Sequence, residues 1–227
     1  MAWQIVKTSF GMLRNKFKHF IILSSISLLL LLADTFFFSE MPVLSHISYI
    51  FITVFAEIPF YIIFFEKNVF SLLRKKWLPF LITAVISRVF FLFVQYIFSF
   101  SGSWNIFLTY NDCITVLNLV AGSLCIEIIK NDLNVSSAAV SIIKTFSRNA
   151  LSNLWLLIKI ILIETFSIAG FVLIILLIIN LAPSPESMQL IRTIFIWLVY
   201  AVFVLFLYPY FAIRICYYYE TISLCGK

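Results

Sequence analysis

Charge is what this sequence has least of. Only 11% of its 227 residues are Asp, Glu, Lys or Arg, against roughly 25% in a soluble domain. So few charges cannot cover a water-facing surface, so lipid is the expected solvent. No soluble domain of normal size, roughly 50 residues or more, fits beside the apolar runs. Histidine is almost absent. The two present, His19 and His46, fall on opposite membrane faces in the topology below and cannot share a site. With no H-E-x-x-H and no phosphate-binding loop, the chain offers no familiar catalytic constellation. The segment AGSLC around Ser123 resembles a nucleophile turn but has no intramembrane His to act as base. Close helix packing is the better use of Gly122 and Ser123. Four cysteines (Cys113, Cys125, Cys216, Cys225) show no C-x-x-C spacing and no neighbouring His pair, which argues against a metal site or a disulfide framework. No cofactor is expected. Glycine is also scarce, at five residues, so the Gly-broken helices common in secondary transporters have no obvious counterpart.

What is abundant is apolar sequence, at 63%. A helical span needs about 20 apolar residues. Six runs qualify, near 19–38, 47–65, 78–100, 107–129, 151–181 and 190–213. Runs such as FVLIILLIINL lack the alternation of a lipid-facing barrel strand, and a single span must satisfy its own backbone hydrogen bonds. The expected fold is all-α and integral to the membrane: one transmembrane domain over residues 1–227 with six spans. The first run is too long for a signal-peptide core and lacks an A-x-A site before Glu40, so it is expected to remain as a span.

The net charge is +6, but the cations lie beside the apolar runs, which favours lipid headgroups over nucleic acid. Lys7, Arg14, Lys16 and Lys18 precede the first run. Lys67, Arg74, Lys75 and Lys76 follow the second, Lys130, Lys144 and Arg148 the fourth, and Arg214 and Lys227 the sixth. The links at 39–46, 101–106 and 182–189 have no Lys or Arg. Thirteen of the sixteen cations thus share one side. By the positive-inside rule that side and both termini are cytoplasmic.

The basic phrase is written more than once. FGMLRNKFKHFI at Phe10–Ile21 returns as FSLLRKKWLPFL at Phe70–Leu81. At a shift of 60 the two segments agree at eight of eighteen positions, among them Arg14/Arg74, Lys16/Lys76 and Phe20/Phe80. A weaker copy has Arg148-Asn149 in place of Arg14-Asn15. Each copy precedes a pair of runs, so three helical hairpins are expected, each entered by an amphipathic cytoplasmic lead-in lying at the interface. Trp3, Trp77 and Trp155 fall in or beside the lead-ins, where interfacial aromatics belong. The third lead-in, NVSSAAVSIIKTFSRNAL, reads as a helix capped by Asn134 or Ser136. Arg14, Lys16, Lys18, Arg74, Lys75, Lys76, Lys144 and Arg148 are the residues expected to meet anionic headgroups or a docking partner.

Ionisable residues at membrane depth cost about 2.5–3.5 kcal/mol each on insertion scales and seek partners. Glu57 and Arg88 each lie roughly 13–15 Å from the cytoplasmic end of their spans at 1.5 Å per residue, so an ion pair between them is expected, structural or along a polar path. Pro59 should disturb the helix beside it. Lys159 and Glu164 are five residues apart and therefore on different faces, Lys159 shallow enough to snorkel. Asn118 and Tyr208 are candidate partners for Glu164. Asp34 and Glu127 lie near span ends, where solvation is cheap.

Two stretches, Asn118–Ile160 and Leu205–Gly226, resemble the six-span membrane domain attached to some bacterial glycerophosphoryl diester phosphodiesterases, and its stand-alone relatives. The similarity lies in the charged turn after a span, the helix of small and apolar residues that follows, and a Tyr- and Arg-rich tail, here Tyr208, Arg214, Tyr217, Tyr218 and Tyr219. The family's catalytic domain has no counterpart here, so no phosphodiesterase activity is carried over. The resemblance implies a non-enzymatic module of the bacterial inner membrane that anchors, scaffolds or assists transport of an amphiphile or peptide. The alternatives are a transporter or channel around Glu57 and Arg88, with Asn118, Lys159 and Glu164, and a lipid-modifying enzyme. Membrane lipids, a membrane-protein partner or a second copy of the chain are the expected partners.

Overall fold

The computed structural model describes residues 1–34, 37, 41–99, 104–180 and 201–224. Among them every regular element is helical. The helices are α1 (Ala2–Asn15), α2 (Phe17–Ala33), α3 (Pro42–Ile52), α4 (Ile58–Phe64), α5 (Val69–Ser99), α6 (Trp104–Asn131), α7 (Val135–Ser147), α8 (Ala150–Asn180) and α9 (Tyr208–Leu224). Among the described residues two helices, Val43–Phe64 and Val69–Ile97, are long and apolar enough to cross a membrane, and the count rises to four if each sharply bent pair is one span.

The bent pairs are α1–α2, at 88°, and α7–α8, at 90°. These are the first and third lead-ins, each turned about perpendicular to the apolar helix it enters. The second lead-in meets its span inside α5 at a kink, where the backbone of Lys76 is non-helical (φ −118°, ψ 21°). Lys16, where α1 gives way to α2, has nearly the same backbone (φ −106°, ψ 22°). The sequence match of Lys16 to Lys76 therefore extends to the backbone break itself. Phe20 and Phe80, also matched, are both fully buried.

A second likeness links α4 and α9. A turn of π-helix at Thr53–Glu57 lies two residues before Pro59, and another at Phe203–Leu207 lies two before Pro209. Proline cannot donate to the carbonyl four residues back, and a widened turn accommodates the lost bond.

The sixth run does not end near Ile213. Helix α9 continues to Leu224, because the sequence offers no Pro or Gly between Pro209 and Gly226 to stop it. What reads as a cytoplasmic Tyr- and Arg-rich tail is a packed helix. Tyr210, Ile213, Cys216, Tyr218, Tyr219 and Ile222 are all buried. Helix α9 packs against α1, α4 and α6, and α1 contributes Ile5, Val6, Ser9 and Leu13 to the same core. Gly122 makes the approach possible. A Cβ there would lie 2.8 Å from Tyr61 Oη and 2.9 Å from Ile215 Cγ2, as the small-residue reading of Gly122 anticipates. Helix α5 turns Val85, Ile86, Val89, Phe90, Phe93 and Ile97 outward. This apolar stripe at helical spacing faces lipid rather than water. The expected links at 101–103 and 182–189, Arg192, the start of the sixth run and Lys227 lie outside the described residues.

Candidate functional site: buried charges and basic elbows

Glu164 sits on the inner face of α8, and Lys159, five residues earlier, on the outer one. Lys159 is exposed, with Nζ 5.2 Å from the Trp155 ring centre, a cation over an aromatic ring. Glu164 is 8% exposed and Arg214 of α9 is 7% exposed. Arg214 Nη1 lies 2.6 Å from Glu164 Oε2, and the Tyr210 hydroxyl donates to Glu164 Oε1 at 3.0 Å. Tyr210 and Arg214 are four apart, so one face of α9 presents both. Arg214 also lies over the Phe211 ring, and Phe10 of α1 stacks on Tyr210 at 4.3 Å between ring centres. One charge-assisted cluster thereby ties α1, α8 and α9. Arg214 Nε is buried without a hydrogen-bond partner. Asn118, the expected partner of Glu164, is exposed on α6, and the side chain of Tyr208 is not among those described. The true partners were hidden because Arg214 reads as tail; extending the sixth helix past Ile213 would have revealed them.

Glu127 anchors a second cluster. It is buried rather than solvated. The Tyr219 hydroxyl donates to its Oε1 and Asn131 Nδ2 to its Oε2, both at 2.6 Å. The Thr145 and Ser141 side chains of α7 lie close to the Tyr219 hydroxyl. Tyr218 donates to the Asn153 carbonyl at 2.9 Å, while Asn153 Nδ2 donates to the Arg148 carbonyl at 3.0 Å. The α7–α8 elbow is thus fixed from within: Asn153 caps the end of α7, and Asn149 turns the chain with φ 53°. At the other end Asn134 Oδ1 accepts from the Ser137 amide, the expected N-cap.

Arg88 lies toward the other end of the bundle. Its Nη2 is 2.8 Å from His46 Nδ1, and its guanidinium stacks over Tyr49 at 4.3 Å and Phe91 at 4.8 Å. Glu57, half-buried at the end of the π-turn, and Asp34 share this region, since both their charges and that of Arg88 act on the Tyr49 hydroxyl. Asp34 is buried, accepts from the Ser45 hydroxyl at 3.1 Å through Oδ2, and leaves Oδ1 without a partner among the described residues. No local pattern marks His46 as an arginine ligand. The five residues expected along one polar path are therefore distributed over separate places: Glu57 and Arg88 near Tyr49, Glu164 on Arg214, and Asn118 and Lys159 outward.

Apart from Arg148, which is exposed and belongs to neither, the lead-in cations divide into two groups. Lys16 Nζ lies 2.7 Å from Glu66 Oε1 and donates to the Ile63 carbonyl. Lys76 Nζ lies 2.8 Å from Asp132 Oδ1 and donates to the carbonyls of Asp132 and Leu133. Glu66 and Asp132 are both in the left-handed region, with φ 57° and 55°, at the ends of α4 and α6. Each break-point lysine thus closes onto the acidic turn two apolar runs later. Lys75 adds a bond to Asp132 at 3.0 Å. Lys67 donates to the Ile129 carbonyl, and Lys130 lies 2.8 Å from Glu220. The hydrogen bonds from Lys76 and Lys75 hold the Asp132 carboxyl down at about 2, and Lys16 lowers Glu66 in the same way. Lys7, Arg14, Lys18, Arg74 and Lys144 form the other group. All five are exposed, and none has an acidic partner among the described residues. Among the described residues no cluster of His, Cys, Asp or Glu could hold a metal ion. Comparisons with protein-family models, with curated proteins and with solved structures find no match to this chain.

Proposed function

We propose that this chain is a non-enzymatic, multi-pass module of the bacterial inner membrane, a scaffold or an accessory to movement of an amphiphile or peptide. Six spans in three hairpins, with both termini cytoplasmic, complete the reading. The observation that carries it is the use of the buried acids. Glu164 is taken up by Arg214 and Tyr210, and Glu127 by Tyr219 and Asn131. Both acids join helices to one another. The resemblance of Asn118–Ile160 and Leu205–Gly226 to a phosphodiesterase membrane domain points the same way.

The test is reconstitution of the full chain in sealed vesicles loaded with ions or a small dye, beside polymer-disc extraction from the native membrane. A scaffold gives vesicles as tight as protein-free ones and a partner co-extracted at fixed stoichiometry. Solute flux above the protein-free level overturns the reading.

One observation favours a transporter as the second reading: the orphan oxygen of buried Asp34 beside the Arg88–His46 contact. Under that reading flux is present and Asp34→Asn abolishes it.

A further inference from the structure

The division of the lead-in cations is the observation with the longest reach. Cations at the breaks and turns, Lys16, Lys75, Lys76 and Lys130, are neutralised inside the chain by Glu66, Asp132 and Glu220. Other cations of the same segments are not: Arg14 and Lys18 lie two residues on either side of Lys16, and Arg74 lies two before Lys76. The bare cations are accompanied by exposed apolar side chains on the same segments. Trp3 and Phe10 lie beside Lys7 and Arg14. Phe70 (87% exposed) and Trp77 lie beside Arg74. Ile143 and, past the elbow, Leu151 (85% exposed) lie beside Lys144. Two of the three segments are held about perpendicular to the apolar helices that follow. A water-facing protein would not set its barest cations among its barest aromatics. A segment lying in a lipid headgroup layer does both, rings sinking toward the acyl chains and ammonium or guanidinium groups reaching phosphate.

We propose that Lys7, Arg14, Lys18, Arg74 and Lys144, with the exposed apolar residues beside them, form one surface that selects anionic phospholipids from the surrounding leaflet. The break-point pairs Lys16–Glu66 and Lys76–Asp132 fix that surface and take no part in binding lipid. The inference rests on the membrane-module reading of the chain but not on whether the module scaffolds or transports. Charge complementarity sets the partner: a phosphate-bearing lipid of net negative charge, neutral phosphatidylcholine being the discriminated competitor. Each cation near a membrane surface attracts anionic lipid enough that five acting together give an enrichment of about fivefold or more.

The full chain, in discs of equal phosphatidylglycerol and phosphatidylcholine, is extracted stepwise with mild detergent, and the lipid retained is quantified by mass spectrometry. Wild-type protein is expected to retain phosphatidylglycerol over phosphatidylcholine by about fivefold or more. The variant Lys7→Gln, Arg14→Gln, Lys18→Gln, Arg74→Gln, Lys144→Gln is expected to retain the two equally, with Tm unchanged because all five residues are exposed. The variant Lys16→Gln, Lys76→Gln keeps the lipid preference and loses Tm. Should the five-site variant not fold, wild type at about 1 M salt supplies the same reading, since screening shortens to about 3 Å there, and the preference must collapse. Equal retention by wild type overturns the proposal, as does a preference surviving in the folded five-site variant or at high salt. Loss of preference in the Lys16, Lys76 variant overturns the division of roles. Equal retention combined with an acidic protein held by the bare cations in native extracts would assign the surface to that partner instead. Tightness of dye-loaded vesicles is read separately, so failure of the lipid preference and failure of the scaffold reading are distinguishable.

Discussion

Lys16 and Lys76 interrupt their helices with the same backbone dihedrals and close onto acidic residues, Glu66 and Asp132, that share a left-handed conformation. The two lysines are sixty residues apart and fall on identical positions of the repeated phrase. The two copies of the phrase thus agree in backbone and in the kind of acidic turn they meet, as well as in sequence. The turns supply the need: Glu66 and Asp132 stand where helices end, and a lysine that also caps the terminal carbonyls satisfies groups the helix leaves orphaned.

Removing one staple tests its electrostatic part. Asp132 is held at about 2 by hydrogen bonds from Lys76 and Lys75, below its ordinary 3.8. A depressed carboxylate contributes stability above its unfolded value and loses it as the pH falls through the folded one. Wild type should therefore exceed Asp132→Asn in Tm at pH 7. The gap should hold down to about pH 4 and vanish by about pH 2. Thermal unfolding in detergent across pH checks this; a gap that persists at pH 2 would place the effect elsewhere.

Glu164 and Arg214 form the most deeply buried ion pair among the described residues. Glu164→Gln or Arg214→Met alone leaves a buried charge uncompensated and should cost about 3–5 kcal/mol. The double replacement removes both charges and should recover most of that loss. A double-mutant cycle on Tm reports the coupling, and additive losses would contradict a direct pair.

At Gly122 the backbone of α6 comes up against Tyr61 of α4 and Ile215 of α9. Gly122→Ala forces a methyl against Tyr61 Oη and Ile215 Cγ2, and overpacking of this kind costs about 1–3 kcal/mol. Tyr61→Phe removes the nearer atom and should rescue part of the loss, because Ile215 remains. Equal stability of Gly122→Ala and wild type would mean that these helices stand farther apart.

Arg88 always donates, so His46 Nδ1 in contact with it must accept. Protonated His46 has no acceptor nitrogen. His46→Gln offers an acceptor oxygen and should be milder than His46→Ala, which exposes Arg88 to a loss of about 1–3 kcal/mol. The comparison is read as the difference in Tm between the two variants at neutral pH. Identical losses would show that the hydrogen bond itself contributes nothing.

Much of this architecture is legible before any coordinates. The scarcity of charge announces lipid, the repeated phrase marks the lead-ins, and Asn134 signals the start of α7, because composition, repetition and capping are local properties. The partners of the buried charges are not legible in this way. Glu164 meets Arg214 only because α9 runs on through Tyr208–Leu224, and no local pattern distinguishes a packed Tyr-rich helix from a tail. Glu127 looks like an end-of-span residue until α7 and α9 fold over it. Arg88 meets His46, a contact set by how α3 and α5 align along their axes, which depth counting along one helix does not fix.

The central claim is that the basic lead-ins share one leaflet. In a background with Cys113, Cys125, Cys216 and Cys225 replaced, single substitutions Arg14→Cys, Arg74→Cys and Lys144→Cys are probed with a membrane-impermeant thiol reagent in intact cells and in inverted vesicles. All three should label in inverted vesicles and remain unlabelled in cells. Labelling of any one from the opposite side to the other two, or of all three from outside the cell, contradicts the claim.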